Sequence, residues 1–152
     1  MDLWHTIHSA RNERGQWFGT PSVPELARRH AEAHRWYESE RLGCDVGPSA
    51  YRQWRQLYWR TFCRWRYLEH LLGICCYREF SAEQFGSLRD CLEWSRDTVV
   101  EFALHRVLHE DCEQLEVLFE APEDVPRHRL VEVLAILDFN AARLSPPEWT
   151  ES

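Results

Sequence analysis

The sequence predicts an all-α protein, a single-domain helical bundle of about six helices. Apolar residues recur at helical spacing (i, i+3 or i+4, i+7) through most of the chain, and no stretch shows the alternation of a strand. The breaks between these stretches carry the Gly, Pro and capping residues that begin and end helices. At 152 residues with 44% hydrophobic content, one core can form. We predict one domain over residues 1–145 and a short polar tail over 146–152.

The first half of the chain contains three predicted helices. The first covers residues 2–11 and places four apolar residues on one side: Leu3, Trp4, Ile7 and Ala10. Ser22 and Glu25 have the spacing of a capping box with Pro24 just inside it, so a second helix begins there and runs to about Arg41. The third runs from Ser49 to Gly73.

Each of the two longer helices has one distinctive face. On the second helix this face holds Leu26, His30, Ala33 and Tyr37. On the third it holds Tyr51, Trp54, Tyr58, Phe62, Trp65, Leu68 and Leu72, opposite Arg52, Arg55, Arg60, Arg64 and Arg66. Arginines between aromatics can stack on nucleic-acid bases. The net charge of −7 favours instead a solvated or snorkelling arginine face over an aromatic core, so we predict no nucleic-acid partner.

Residues 81–108 are predicted to form two helices separated by a short break. Ser81 and Gln84 have capping-box spacing, and the helix they open places Phe85, Leu88 and Leu92 on one face. A short break at 94–96 separates it from a more apolar helix, predicted to begin at Asp97 and to continue to Phe119. That helix carries Val99, Val100, Ala103, Leu104, Val107 and Leu108. A last helix, from Val125 through the apolar segment 130–139, is expected inside the domain.

No sequence pattern indicates catalysis, and we predict that the protein is not an enzyme. There is no GxSxG, no Gly-rich phosphate loop and no recognisable Cys/His nucleophile. His105, His109 and Cys112 share one helical face, and His30 and His34 repeat the i, i+4 spacing of zinc ligands. With eight histidines such pairs arise by chance, so we predict no metal and no cofactor. A small zinc-stabilised regulatory protein stays open as an alternative.

The remaining composition favours an intracellular protein. The N-terminal stretch has no apolar signal core, and no run of 18 apolar residues could span a membrane. We read the six cysteines as reduced. All 18 basic residues are arginine and lysine is absent, through either coding bias or avoidance of lysine modification such as ubiquitination.

One short segment resembles a known family. Trp94-Ser95-Arg96 resembles the first homology region of the Bcl family of apoptosis regulators, usually Asn-Trp-Gly-Arg. Leu88 and Leu92 precede it at the family spacing. The segments 1–4 (Met-Asp-Leu-Trp) and 92–96 also resemble the adenoviral small T antigens of early region one B, viral mimics of that family. In departure from the pattern, Ser95 stands in place of Gly and no clear second homology region follows.

The resemblance implies a viral apoptosis inhibitor that captures amphipathic helices of host pro-apoptotic proteins in a hydrophobic groove. Arg96 is expected to pair with an acidic residue of the partner. The expected partner-binding residues are Arg96, Trp94, Phe85, Leu88, Leu92, Val99, Val100 and Ala103. We expect the host cell cytoplasm, with at most peripheral association with intracellular membranes or the nuclear envelope. The alternative is a viral helical adaptor that recruits host proteins, such as the ubiquitin machinery.

Overall fold

The structure, a computed structural model, describes residues 20–91 and 96–149, apart from the side chains at positions 90 and 91. Within these ranges it contains α-helices and no strand, which confirms the all-α prediction. The helices are α1 (Val23–Leu42), α2 (Ser49–Leu71), α3 (Ser87–Cys91), α4 (Thr98–Leu104), α5 (Gln114–Phe119) and α6 (Arg127–Leu137). The predicted helix at 2–11, the site residues Leu92 and Trp94, and the last three residues of the predicted tail lie outside the described residues.

α1 and α2 form a long antiparallel hairpin, close to the predicted bounds. His30 on α1 lies beside Phe62 on α2, and His34, one turn further on, lies beside Tyr58. Gly43 ends α1 with a φ of 73°, a left-handed conformation that a residue without Cβ adopts readily. The small residues Ala27 and Ala31, both fully buried, form the inner side of α1.

The predicted capping box at the start of α1 does not form. Ser22 makes no side-chain bond to the helix; its hydroxyl donates to Glu79 instead. The Glu79 carboxylate also accepts from the backbone nitrogen of Val23, at 2.6 Å. The free amides at the helix N-terminus attract a negative charge, and here a distant residue supplies it.

The segment 81–108 differs from its prediction in two ways. Ala82–Gln84 is a single 3-10 turn, and Gly86, with a φ of 77°, separates it from the five-residue α3. The apolar helix α4 stops after a π-helical turn at His105–His109 and does not reach Phe119. The chain reverses at Asp111, whose φ is 54°. After this reversal the guanidinium of Arg64 donates to the backbone carbonyls of residues 107 and 112. These two hydrogen bonds replace helical hydrogen bonds that are lost where the helix ends.

The core lies between α2 and the shorter helices of the second half, with α4 packed against α6. α6 is amphipathic rather than buried all round: Leu130, Val133 and Leu137 are buried, but Val131 is 51% exposed. The apolar run therefore predicted the helix but overstated its burial. Among the residues that the structure describes, no helix is both long and apolar enough to cross a bilayer.

The segment after residue 145 packs on α2, where a polar tail was predicted. Arg55 donates to the carbonyl of Pro147. The ring of Trp149 lies 6.1 Å from the ring of Tyr51 and 6.0 Å from that of Trp54, centroid to centroid. An indole buries a large apolar area. Burial of the Trp149 ring therefore favours packing of this segment on α2, although most residues around it are polar.

Candidate functional site

Most of the apolar residues predicted to wall a groove belong to the core. Leu88, Val100 and Ala103 are fully buried, and Val99 is only 9% exposed. Phe85 is 39% exposed, with its ring 5.5 Å from the ring of His70. These four side chains therefore present little or no surface to a partner in this structure, and their part in partner binding stays a prediction.

Arg96 lies on the surface, next to the start of α4. Its neighbour Asp97 caps α4 by accepting from the backbone nitrogens of residues 99 and 100, at 2.9 and 3.3 Å. The second oxygen of Asp97 pairs with Arg129 on α6, at 2.5 Å. Burial raises the pKa of Asp97, but the bonds to Arg129 and to the two backbone nitrogens, together with the charge of Arg129, outweigh it, so the pKa lies below its ordinary value. Asp97 thus both caps the start of α4 and links it to α6 through Arg129. The role of Arg96 in partner binding stays a prediction.

An open groove lies elsewhere, between α1 and α2. We call it the aromatic groove; it has a volume of about 410 Å³. It is lined by His30, Ala33, His34, Tyr37, Trp54, Tyr58, Thr61, Phe62 and Trp65. Trp54 and Phe62 are nearly buried and form the floor, whereas Tyr37 and Tyr58, 65% and 47% exposed, stand at the sides. Ala33 is the smallest residue of the lining.

Two histidines of α1 are held in the aromatic groove by ring contacts. The ring of His30 lies 5.0 Å from the ring of Phe62 in an edge-on arrangement. Desolvation by the surrounding rings, and then the positive charge of Arg66, lower the pKa of His30. His34 Nε2 lies 3.0 Å from the side-chain oxygen of Gln53. His30 is therefore disposed to be neutral near pH 7, which suits an apolar ligand.

A second cluster joins α2 to the loop before α5. Arg64, 5% exposed, donates from one nitrogen to the carbonyls of Val107 and Cys112, both at 3.0 Å. The same nitrogen lies 3.2 Å from a carboxylate oxygen of Asp111. Glu113 receives Arg60 at 2.5 Å and Arg143 at 2.8 Å. Because the arginines face carboxylates of the same chain, the cluster fastens the loop and leaves little attraction for an outside anion.

Two buried polar side chains near the end of α2 were not predicted from the sequence. Glu69, 1% exposed, pairs with Arg66 at 2.6 Å and accepts from the Tyr77 hydroxyl at 3.3 Å. Burial raises the pKa of Glu69 to about 7 against the opposing charge of Arg66. His70 accepts from the backbone nitrogen of Tyr77 and lies 2.7 Å from the carbonyl of Ser81, which fixes a neutral tautomer. These groups hold the loop after α2.

The histidine and cysteine pairs do not assemble a metal site in the described part of the chain. No group of three or more His, Cys, Asp or Glu side chains there has the geometry to hold a metal ion. The rings of His105 and His109 are tilted against each other with centroids 5.2 Å apart, and His105 Nε2 lies 3.2 Å from a carboxylate oxygen of Glu110. Cys112 is buried, with its sulfur 3.8 Å from the carbonyl oxygen of Glu110. The five cysteines with described side chains are free thiols.

Comparisons with known proteins add no relative. No protein-family model, no curated protein and no solved structure matches the chain.

Most residues that line the aromatic groove could be identified from the sequence, but the groove itself could not. The faces named on the two long helices include most of its lining: His30, Ala33, Tyr37, Trp54, Tyr58, Phe62 and Trp65. Periodicity identified the faces, but it did not indicate that α1 turns Ala27 and Ala31, rather than this face, toward the core. The available signal in the sequence was a tyrosine on each face, Tyr37 and Tyr58, because the polar hydroxyl of this residue type favours contact with water.

Proposed function

We propose that the protein is a non-enzymatic binding protein that captures one amphipathic helix of another protein in the aromatic groove. The single observation that carries the proposal is the open, aromatic-lined trench between α1 and α2, with two tyrosines about half or more exposed. Large exposed aromatics brought together by folding are typical of interaction sites. Helix capture is also the class of function that the resemblance implies, with the binding surface moved to the α1–α2 hairpin.

The shape of the aromatic groove fits an apolar helix face. A partner helix would place anchors at i, i+3 or i+4 and i+7 along it. Ala33, the smallest residue of the lining, provides space for one anchor, and Tyr37 on α1 and Tyr58 on α2 provide aromatic surface for the others. The chemical character also fits, since the floor consists of rings. The neutral form favoured for His30 keeps charge out of the site.

The identity of the partner stays a prediction. The host pro-apoptotic helix follows from the resemblance alone, as do the viral origin and the location in the host cytoplasm. The helical adaptor is also a prediction, and no contact in the described residues favours it over the capture of a single helix.

A peptide-binding assay tests the proposal. The probes are two fluorescent peptides, a pro-apoptotic helix of the kind that the resemblance implies and a designed amphipathic helix with Leu at i, i+3 and i+7. We expect at least one of them to bind, and Tyr58→Arg to weaken that binding tenfold or more. The matched control is Leu57→Arg, the adjacent residue on α2, which is 57% exposed but outside the lining; it should bind like the wild type.

Two outcomes contradict this proposal. If neither peptide binds the wild type, helix capture fails. If a peptide binds but is lost with Arg96→Ala and not with Tyr58→Arg, the binding surface is the predicted corner and not the aromatic groove. Thermal unfolding of each variant shows that it is folded before its affinity is compared.

A further inference from the structure

Two large apolar side chains stand exposed on one face of α5. Among the residues that the structure describes, Phe119 and Leu115 are the most exposed large hydrophobic side chains, at 70% and 66%. They are four residues apart, so they share a helix face and lie about 6 Å apart along its axis. Single exposed apolar residues are ordinary, but a pair on one face forms a small contact surface.

α5 holds this pair in a fixed position. Val117, on its inner side, is fully buried, and the side chain of Gln114 donates to the carbonyl of Leu134 on α6, at 3.1 Å. The Glu116 carboxylate accepts from the backbone nitrogen of Glu113 at 3.1 Å, which ties the first turn of the helix. A surface that is already ordered loses little conformational entropy when a partner binds.

The sequence around this pair is strongly acidic. Residues 107–126 contain seven acidic residues and no arginine, and lysine is absent from the whole chain. The seven are Glu110, Asp111, Glu113, Glu116, Glu120, Glu123 and Asp124.

Only part of this negative charge is neutralised within the described chain. Arg106 pairs with Glu110 and Glu120, and Arg60 pairs with Asp111 and Glu113. The other three carboxylates are exposed, and no arginine of the described residues forms an ion pair with them. These three are Glu116, Glu123 and Asp124.

The three carboxylates lie close in sequence to the apolar pair. Glu116 follows Leu115 directly on α5, and Glu123 and Asp124 belong to the loop that leads from Phe119 to α6. We call these five residues the α5 surface. It differs in charge from the aromatic groove, whose lining contains no carboxylate.

We propose that the α5 surface binds a basic amphipathic segment of another protein. Apolar residues of the segment pack on Leu115 and Phe119, which supply most of the affinity. Its Lys or Arg side chains lie against the three carboxylates, which orient the segment and disfavour anionic partners. The α5 surface shares no residue with the aromatic groove, so this second binding site goes beyond the proposed function.

The test uses the full chain and two designed fluorescent helical peptides with the same Leu anchors. One peptide carries Lys beside the anchors and the other carries Glu at the same positions. At low ionic strength the wild type should bind the basic peptide about tenfold or more tightly than the acidic one, and added salt should reduce this preference.

An apolar substitution tests the centre of the α5 surface. Phe119→Ser should weaken binding of the basic peptide about tenfold or more. The matched control is Leu57→Ser on α2, which removes another exposed apolar side chain, 57% exposed, and should bind like the wild type. Thermal unfolding of each variant shows that it is folded before affinities are compared.

A charge substitution tests the border. The triple variant Glu116→Gln, Glu123→Gln and Asp124→Asn should lose the preference for the basic peptide, while glutamine at position 116 keeps an oxygen that can accept from the backbone. The control triple changes the overall charge equally at exposed carboxylates elsewhere and should keep the preference. Its substitutions are Glu40→Gln, Glu83→Gln and Glu101→Gln.

Three results overturn the inference. The wild type binds both peptides equally, Phe119→Ser binds the basic peptide like the wild type, or the control triple also loses the preference, which would assign it to overall charge. A wild-type dimer in sedimentation that Phe119→Ser dissociates would give the surface to a second copy of the chain, and it too contradicts a separate basic partner.

The inference and the proposed function can fail separately. Tyr58→Arg alters the aromatic groove and should leave binding of the basic peptide unchanged. If this peptide is lost with Tyr58→Arg and kept with Phe119→Ser, it binds in the aromatic groove, which supports capture there and overturns the role of the α5 surface.

Discussion

The carboxylate of Glu79 caps the N-terminus of α1, 56 residues away in sequence, by accepting from the backbone nitrogen of Val23 at 2.6 Å. The same carboxylate accepts from the Ser22 hydroxyl at 3.0 Å. The contact fastens the loop after α2 to the start of the hairpin that forms the aromatic groove.

Removing this cap should destabilise the protein. We expect Glu79→Ala to lower the free energy of unfolding by about 1 kcal/mol, the usual cost of losing a helix cap. The measurement is the urea midpoint. Glu83→Ala, an exposed carboxylate in the nearby 3-10 turn, is the control and should change little. Equal shifts for the two variants would contradict the capping role.

Arg64 should not tolerate replacement by lysine. One of its guanidinium nitrogens serves the carbonyls of Val107 and Cys112 and the carboxylate of Asp111. The other nitrogen lies 3.5 Å from Glu113. A single ammonium cannot reproduce this arrangement, so Arg64→Lys should cost about 2–3 kcal/mol of unfolding free energy by leaving buried acceptors unsatisfied.

The matched control for that experiment is Arg52→Lys on the exposed side of the same helix. It should stay within about 0.5 kcal/mol of the wild type. Chemical denaturation of the three proteins provides the comparison. A loss for Arg64→Lys no larger than that for Arg52→Lys would show that the buried contacts add no stability.

Glu69 should make stability fall as the pH rises from about 4.5 to about 7. Its pKa is about 7 in the folded protein against an ordinary value of 4.5, because burial opposes the charged form. Between these values the folded state holds a proton that the unfolded state has released, so the contribution of Glu69 is present at low pH and lost on passing pH 7. At 1.36 kcal/mol per unit, the loss is about 3 kcal/mol.

Unfolding free energies of the wild type and of Glu69→Gln across pH 4–8 provide the measurement. The difference between the two proteins should move in favour of the variant as the pH rises, because glutamine does not ionise. Glu83→Gln is the control and should run parallel to the wild type. A difference between wild type and Glu69→Gln that is independent of pH would mean that Glu69 titrates normally.

Binding of a partner helix in the aromatic groove should weaken on acidification. The pKa of His30 is already lowered by desolvation and by Arg66, and a bound apolar helix would desolvate the ring further. The complex therefore excludes the protonated form, so affinity should drop by up to about tenfold per pH unit below the pKa of the free protein. Among the described residues, Arg66 on α2 contributes to this shift of the His30 pKa, and His34, one turn along α1, is the second histidine of the lining.

His30→Phe should retain binding and lose most of this pH dependence. The control is His128→Gln, which changes an exposed histidine at the start of α6. This variant should show the same pH dependence of binding as the wild type. Peptide titrations at pH 5, 6 and 7 give the comparison. The same slope in His30→Phe as in the wild type would assign the effect to another group.

Local sequence patterns determined the helical class, the bounds of α1 and α2 within two residues, and the aromatic faces that line the groove. These features follow from periodicity and from turn residues such as Gly43, which act over a few positions along the chain. The same rules failed at Ser81 and beyond His109, where local helical preference was overridden by long-range contacts such as those of Arg64 with the loop at 107–112.

Only the tertiary structure decided which faces are covered. Sequence periodicity marks an apolar face but does not state what packs on it, and so Val100 and Ala103 lie in the core while Tyr37 and Tyr58 stand open. The cap from Glu79 to Val23 also depends on the tertiary structure, because the two residues lie 56 positions apart in sequence. The burial of Glu69 depends on the elements that pack over the end of α2. Burial is a property of the whole packing, because a side chain is shielded only when another element is present to exclude water from it.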